Sequence, residues 1–167
     1  LFRSYVPDDN FEQALIDLGY DSGALDDYVL TANIRGLTNL DVSNKEIIDL
    51  TGIQDFISLI QLNCGINSLT TIDISKNINL QILVVHSNQL TSLDVINNTN
   101  LQQIYGNYNL VTNLDLSKNP SLNTLDFGNN KLTSLDLSQN PLMTYLNCTY
   151  NLISSIDVSG NSNLQQI

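Results

Sequence analysis

Basic side chains are scarce: the 167 residues carry 6 Lys and Arg against 17 Asp and Glu, a formal charge of −11. The six, Arg3, Arg35, Lys45, Lys76, Lys118 and Lys131, are scattered singly. No patch is therefore available to displace counterions from phosphates, and nucleic acid is not an expected partner. Anionic membrane surfaces are disfavoured for the same reason. No apolar run approaches the roughly 20 residues a membrane-spanning helix needs, so membrane insertion is not expected, and the charged-then-apolar opening of a signal peptide is missing. The chain begins at Leu1 rather than Met, as a processed secreted protein or an excised segment would. Histidine occurs once, at His86, and Gly-rich phosphate loops, HExxH and GxSxG are absent. With no nucleophile and base pair to assign, no catalytic residue, metal ligand or cofactor is expected.

Leucine and asparagine are abundant, 28 and 24 residues, nearly a third of the chain, and such a bias calls for a search for repeats. Sliding the sequence along itself by 21 positions aligns LIQLNCGINSLTTIDISKNIN with LQILVVHSNQLTSLDVINNTN, LQQIYGNYNLVTNLDLSKNPS, LNTLDFGNNKLTSLDLSQNPL and MTYLNCTYNLISSIDVSGNSN without an insertion. Six columns, headed by Leu59, Leu62, Cys64, Leu69, Ile72 and Ile74, are apolar in all five copies except at Gly106. Copies this short cannot fold alone. Each must bury its apolar side against the next, giving a solenoid with one continuous core.

The columns predict local structure. Leu62, Asn63 and Cys64 alternate in, out, in, as a short strand does, and successive copies should pair into a parallel sheet. Asn67, Asn88, Asn109, Asn130 and Asn151 follow where the chain turns, and their amides suit the backbone groups a turn leaves unpaired. Leu69, Ile72 and Ile74 imply a second short extended segment. Its outward Asp73 recurs as Asp94, Asp115, Asp136 and Asp157, carboxylates about 4.8 Å apart if coils stack at strand spacing. Backbone N–H groups or the hydroxyls of Ser75, Ser117, Ser138 and Ser159 would offset their repulsion. A row of weak Ca²⁺ sites is the alternative. Cys64 and Cys148 share one column, 84 residues and so four coils apart. Four rungs span roughly 19 Å, too far for a disulfide, and two buried free thiols are expected. Phe127, two places further along that column from Val85, should lean under Gly106 to fill the space left there.

The spacing of Leu59, Leu62, Cys64 and Asn67 resembles the leucine-rich repeat, LxxLxLxxN. With LTSLDLS following and Cys in the sixth position, it is similar to the 21-residue repeat of internalin-like bacterial surface proteins over residues 37–167. The resemblance implies a β-rich leucine-rich-repeat solenoid with short parallel strands, 21-residue coils, few or no helices in the repeats and an N-terminal helical cap. Residues 1–36 are read as that cap. Phe11, Ala14, Leu15 and Leu18 recur at helical spacing, Asp8, Asp9 and Glu12 suit the helix N-terminus, and Gly19 suits its stop. Some relatives carry a calcium loop near here. The stretch Asp17–Tyr28 departs from the EF-hand pattern at Gly19, Ser22 and Tyr28 and reads better as a solvated acidic turn. Residues 37–58 form a degenerate transitional repeat with Leu37, Leu40, Val42, Ile47 and Leu50 in register. Residues 59–167 form five full coils and the start of a sixth, in which Leu164 and Ile167 continue two columns. An open end there would permit end-to-end association if the natural chain stops at that point.

The outward residues of the first strand are the ones the fold does not dictate. Their apolar and aromatic members cluster in the middle of the sheet. The candidate binding residues are Ile82, Val84, His86, Tyr105, Asn107, Tyr108, Asp126, Tyr145, Asn147 and Tyr150, because tyrosine combines stiff contact area with a hydrogen-bonding tip. The resemblance implies a non-catalytic protein-recognition or adhesion module, extracellular or at the cell surface, whose −11 charge would steer a basic protein partner. A module that binds neutral glycans through exposed tyrosines and a structural spacer are the alternatives.

Overall fold

A three-residue strand returns once per coil because the in, out, in alternation recurs every 21 residues. In the computed structural model, which describes residues 2–165, those strands are β3 (Asn39–Asp41), β4 (Gln61–Asn63), β5 (Ile82–Val84), β6 (Gln103–Tyr105), β7 (Thr124–Asp126) and β8 (Tyr145–Asn147). They form one parallel sheet in chain order, with Leu40, Leu62, Leu83, Ile104, Leu125 and Leu146 in register and buried. The remainder of each coil supplies the crossover that parallel neighbours require. The ladder continues past each strand, through Cys64 N–H to Val84 O (2.9 Å), Val85 N–H to Tyr105 O (2.8 Å) and Gly106 N–H to Asp126 O (2.8 Å).

The turn asparagines act as expected, each serving two coils. Asn109 Nδ2 donates to Val85 O (3.0 Å) and Gly106 O (3.1 Å), while its Oδ1 accepts the buried N–H of Leu90 (2.9 Å). Asn88 does the same for Cys64 O, Val85 O and the Leu69 N–H. A second asparagine ladder was not read from the sequence. Asn77, Asn98, Asn119, Asn140 and Asn161 are buried, and each donates twice to carbonyls of the coil before it, as Asn119 does to Val95 O (3.1 Å) and Asn98 O (2.9 Å). The Oδ1 atoms of Asn77, Asn98, Asn119 and Asn140 are buried without a partner.

Around Leu69, Ile72 and Ile74, where a second short extended segment was expected, the structure forms no strand, and the asparagine ladder follows just after. One backbone bond per coil joins neighbours there, as Gln89 N–H to Leu69 O (2.8 Å) and Leu110 N–H to Leu90 O (2.8 Å), and the side-chain amides add to it. The Asp column faces solvent and its members cap their own turns, with the N–H two residues on donating to Asp73 (3.0 Å), Asp94 (3.0 Å), Asp115 (2.9 Å), Asp136 (2.8 Å) and Asp157 (2.9 Å). The Phe127 ring lies against Gly106, and a Cβ built on that glycine would sit 2.8 Å from Phe127 Cδ2 and closer still to Cε2. Both thiols are free, but only Cys64 is buried, and Cys148 is partly exposed. Ile167 lies outside the described residues.

At the other end, β1 (Arg3–Tyr5) and β2 (Tyr28–Leu30) pair antiparallel and bracket α1 (Asp9–Asp17), followed by the single turn α2 (Thr31–Ile34). Phe11, Ala14 and Leu15 are buried on α1, and the Phe11 ring stacks on Phe56 with centroids 6.2 Å apart. Leu18 differs from expectation: it is the C-cap and 42% exposed, with Gly19 following at φ 79° as the stop. Glu12, fully buried, turns its two oxygens to the N–H groups of Asp26 (2.9 Å) and Asp27 (3.0 Å). Asp8 caps the helix at Phe11 N–H (2.9 Å) and reaches the N–H groups of Ile48 (2.9 Å) and Asp49 (3.0 Å). One carboxylate thus ties the cap to the residues after β3.

Candidate functional site

Strand pairing sets the candidate residues in rows across the outward face of the sheet. One row runs Asn39, Gln61, Ile82, Gln103, Thr124, Tyr145, and the next Asp41, Asn63, Val84, Tyr105, Asp126, Asn147. Tyr105 on β6 and Tyr145 on β8 are therefore separated by one strand, and β7 places Thr124 and Asp126 between them. These four residues line a hollow of about 330 Å³ open to solvent. All four are half-buried, so rings and polar groups are held in place while part of each remains reachable.

Three of the four lining residues have a polar atom engaged within the chain. The Tyr105 hydroxyl donates to Gln103 Oε1 (3.2 Å), and Thr124 Oγ1 donates to Asn123 Oδ1 (2.8 Å). Asp126 Oδ1 accepts from Asn147 Nδ2 (2.9 Å). Asn147 is itself fixed by the Thr149 N–H (3.1 Å) and hydroxyl (2.7 Å), both donating to its Oδ1. Neither outward row contains a lysine or an arginine.

The remaining candidates fall around this hollow rather than in it. Val84 pairs with Tyr105 and Ile82 with Gln103, which extends the half-buried surface by one strand. The His86 ring covers Gly65, where a Cβ would lie 2.9 Å from Nε2, and its Nδ1 is 3.2 Å from Ser87 Oγ. Asn107 is half-buried one coil further on. Tyr108 and Tyr150 occupy the left-handed turn position, at φ 58° and 54°, and stand 58% and 80% exposed. Tyr150 lines a separate hollow with Cys148, Asn151 and Ile153, so the structure does not bring it to Tyr105. Thr124 is the member that the sequence reading passed over. Its signal was its place in the outward row between Gln103 and Tyr145.

Two of the acidic groups in the stretch weighed for calcium, and the Asp column, have other partners. Asp17 pairs with Lys45 (3.2 Å) and takes a hydrogen bond from Gln13 (2.9 Å), while Asp26 pairs with Arg3 (2.6 Å). The Asp column spends an oxygen per residue on its own turn. Those N–H groups hold Asp73, Asp115, Asp136 and Asp157 below the usual carboxylate range. For Asp136 the flanking Asp115 and Asp157 push the other way, the repulsion expected of a stacked column.

Parallel one-strand-per-coil topology, a 21-residue period and the LxxLxLxxN columns make this a leucine-rich-repeat solenoid, and it resembles the internalin-like bacterial proteins. No family model matches the chain. It is 37% identical to Internalin J of Listeria monocytogenes over 76 residues, which is 46% of this chain and 8% of that protein. The crystal structure of an internalin (inlF) from the same organism superposes on 96% of this chain and 48% of its own, with a TM-score of 0.84 at 24% identity. A leucine-rich-repeat protein of Leptospira interrogans matches 72% of the chain and 33% of its own at 25% identity, TM-score 0.69. The chain thus spans less than half the length of each of these relatives.

Proposed function

We propose that the outward face of the sheet, centred on the hollow between Tyr105 and Tyr145, is a protein-recognition surface, and that the chain is a non-catalytic adhesion module of a secreted or surface-exposed bacterial protein. The segment before residue 37 serves as its cap and residues 37–58 as the transition into the regular coils. The observation that carries this reading is the hollow itself. Two half-buried tyrosines and a carboxylate meet there on a face that regular packing leaves free. Half-buried aromatics with fixed rotamers give contact area at small entropic cost, which is the composition of interface anchors. The similarity to internalins supports the same reading. Against an enzymatic role, His86 packs over Gly65 beside Ser87, and the carboxylate of the hollow sits among hydroxyls with no base beside it. No described helix is long and apolar enough to cross a membrane. A neutral glycan stacked on the two rings is the second reading, favoured by the Thr124 hydroxyl between them.

Panning a displayed peptide library and a glycan panel against the wild type and the Tyr105→Ala/Tyr145→Ala double variant separates these readings. Circular dichroism controls for folding. Peptides retained by the wild type and lost by the variant are the expected result. Loss of glycan binding alone transfers the face to sugars. Unchanged binding of both, or none at all, leaves a spacer.

A further inference from the structure

We infer that the hollow between Tyr105 and Tyr145 receives the guanidinium of an arginine presented by a protein partner, an assignment that rests on the recognition surface proposed above. The polar groups of the hollow decide the chemistry. Thr124 and Tyr105 give their hydroxyl protons to Asn123 and Gln103 and so turn lone pairs to the hollow, while Asp126 keeps Oδ2 free. The Tyr145 hydroxyl, with no partner among the described residues, can accept as well as donate, so the opening offers an excess of acceptors, and the group that matches it best is rich in donors. Guanidinium, with five N–H donors and no acceptor, is such a group, whereas a sugar hydroxyl brings acceptors of its own. The walls agree. Arginine stacks on aromatic faces and pairs in-plane with carboxylates, and a ring and a carboxylate on neighbouring strands present both surfaces to one side chain.

Charge points the same way. Asp126 has no cationic partner among the described residues, and the outward rows hold acidic and neutral side chains only. The chain also builds this arrangement for itself elsewhere. In the cap, the Arg3 guanidinium pairs with Asp26 (2.6 Å) and lies over the Tyr28 ring, 4.9 Å from its centroid. The hollow presents the same pairing of tyrosine ring and carboxylate.

The test is NMR titration of the whole chain with acetyl-Gly-Arg-Gly-amide, its citrulline counterpart, its lysine counterpart and methyl glucoside. The readouts are the Tyr105 and Tyr145 ring signals and the Thr124 methyl. The arginine peptide is expected to shift them saturably in the millimolar range, and citrulline, planar but uncharged, to bind about tenfold more weakly. Asp126→Asn, which keeps the acceptor for Asn147, should cause a similar loss, while Asp41→Asn on the same face should cause none. Equal binding of citrulline or lysine, indifference to Asp126→Asn, or silence of the hollow signals would overturn the assignment. If the arginine peptide fails while panned peptides are still lost in the double tyrosine variant, the recognition face stands and only the guanidinium falls. If both fail, both fall.

Discussion

Two asparagines, one from each ladder, allow hydrogen-bond inventory to be weighed against burial. Asn119 is fully buried and Asn109 is 6% exposed, so burial alone ranks Asn119 as the costlier to truncate. The inventory reverses that order. Asn119→Ala removes two bonds, to Val95 O and Asn98 O, but each of those carbonyls keeps a backbone donor, Asn98 N–H (3.0 Å) and Leu101 N–H (3.1 Å). The substitution also deletes an oxygen that is buried without a partner. Two bonds at about 1 kcal/mol each, less partial relief from the lost oxygen, leave about 1–2 kcal/mol. Asn109→Ala also removes two donated bonds, and in addition strips the buried Leu90 N–H of its acceptor. An orphaned buried donor costs about 1–3 kcal/mol, which brings the total to about 3–5 kcal/mol. Against a typical stability of about 5–15 kcal/mol, that is a loss of about a fifth or more. Urea unfolding followed by circular dichroism should give Asn109→Ala the lower midpoint. Amide exchange at Leu90 should lose protection in that variant and keep it in Asn119→Ala. Asn119→Ala being the more damaging, or Asn109→Ala costing under about 1 kcal/mol, would refute the reasoning.

Three further outcomes are expected. Gly106→Ala places a methyl against the Phe127 ring and should cost about 1–3 kcal/mol in chemical denaturation, and adding Phe127→Leu should recover part of it. No recovery would mean that the ring does not limit the site. Of the two thiols, burial pushes Cys64 up to about 12, whereas Cys148 is raised but partly exposed. A thiol reagent at mildly alkaline pH should label one cysteine per native chain and the second only after denaturation, and equal rates would contradict this. Finally, the folded state holds Asp73, Asp115, Asp136 and Asp157 below their unfolded values. Their contribution is therefore complete above about pH 4 and disappears as acid passes downward through the folded values. Melting midpoints should be level near neutrality and fall below about pH 4, and a midpoint that rises over that acid range would reverse the sign.

The architecture was legible because repetition multiplies a weak signal. A single Leu62, Asn63, Cys64 triplet says little, whereas the same alternation at Leu83, Ile104, Leu125 and Leu146 leaves a parallel sheet as the consistent solution. The Cys64 and Cys148 separation was readable on the same arithmetic. What escaped were features whose residue type is ambiguous. Asn98 and Asn119, in the segments INNTN and SKNPS, carry no signal of burial in their residue type, since burial of an asparagine is set by which carbonyls the neighbouring coil turns toward it. Leu18 fits a helical apolar face, but the helix ends one residue before it, and the turn carries it into solvent. At the site, the outward rows were readable from the alternation. Which of their members share a hollow depended on side-chain direction, which brings Thr124 in, while Tyr150, on a turn outside those rows, lines a separate hollow.

The hollow draws on three consecutive coils and on nothing beyond them. Duplicating the coil that carries β5 would carry the hollow about 4.8 Å along the axis intact, a translation with no redesign. Inserting one between β6 and β7 would instead pull Tyr105 away from the other walls and dissolve it. Length and specificity in this architecture are thus separate variables: a lineage is free to lengthen its reach anywhere except across those three rungs.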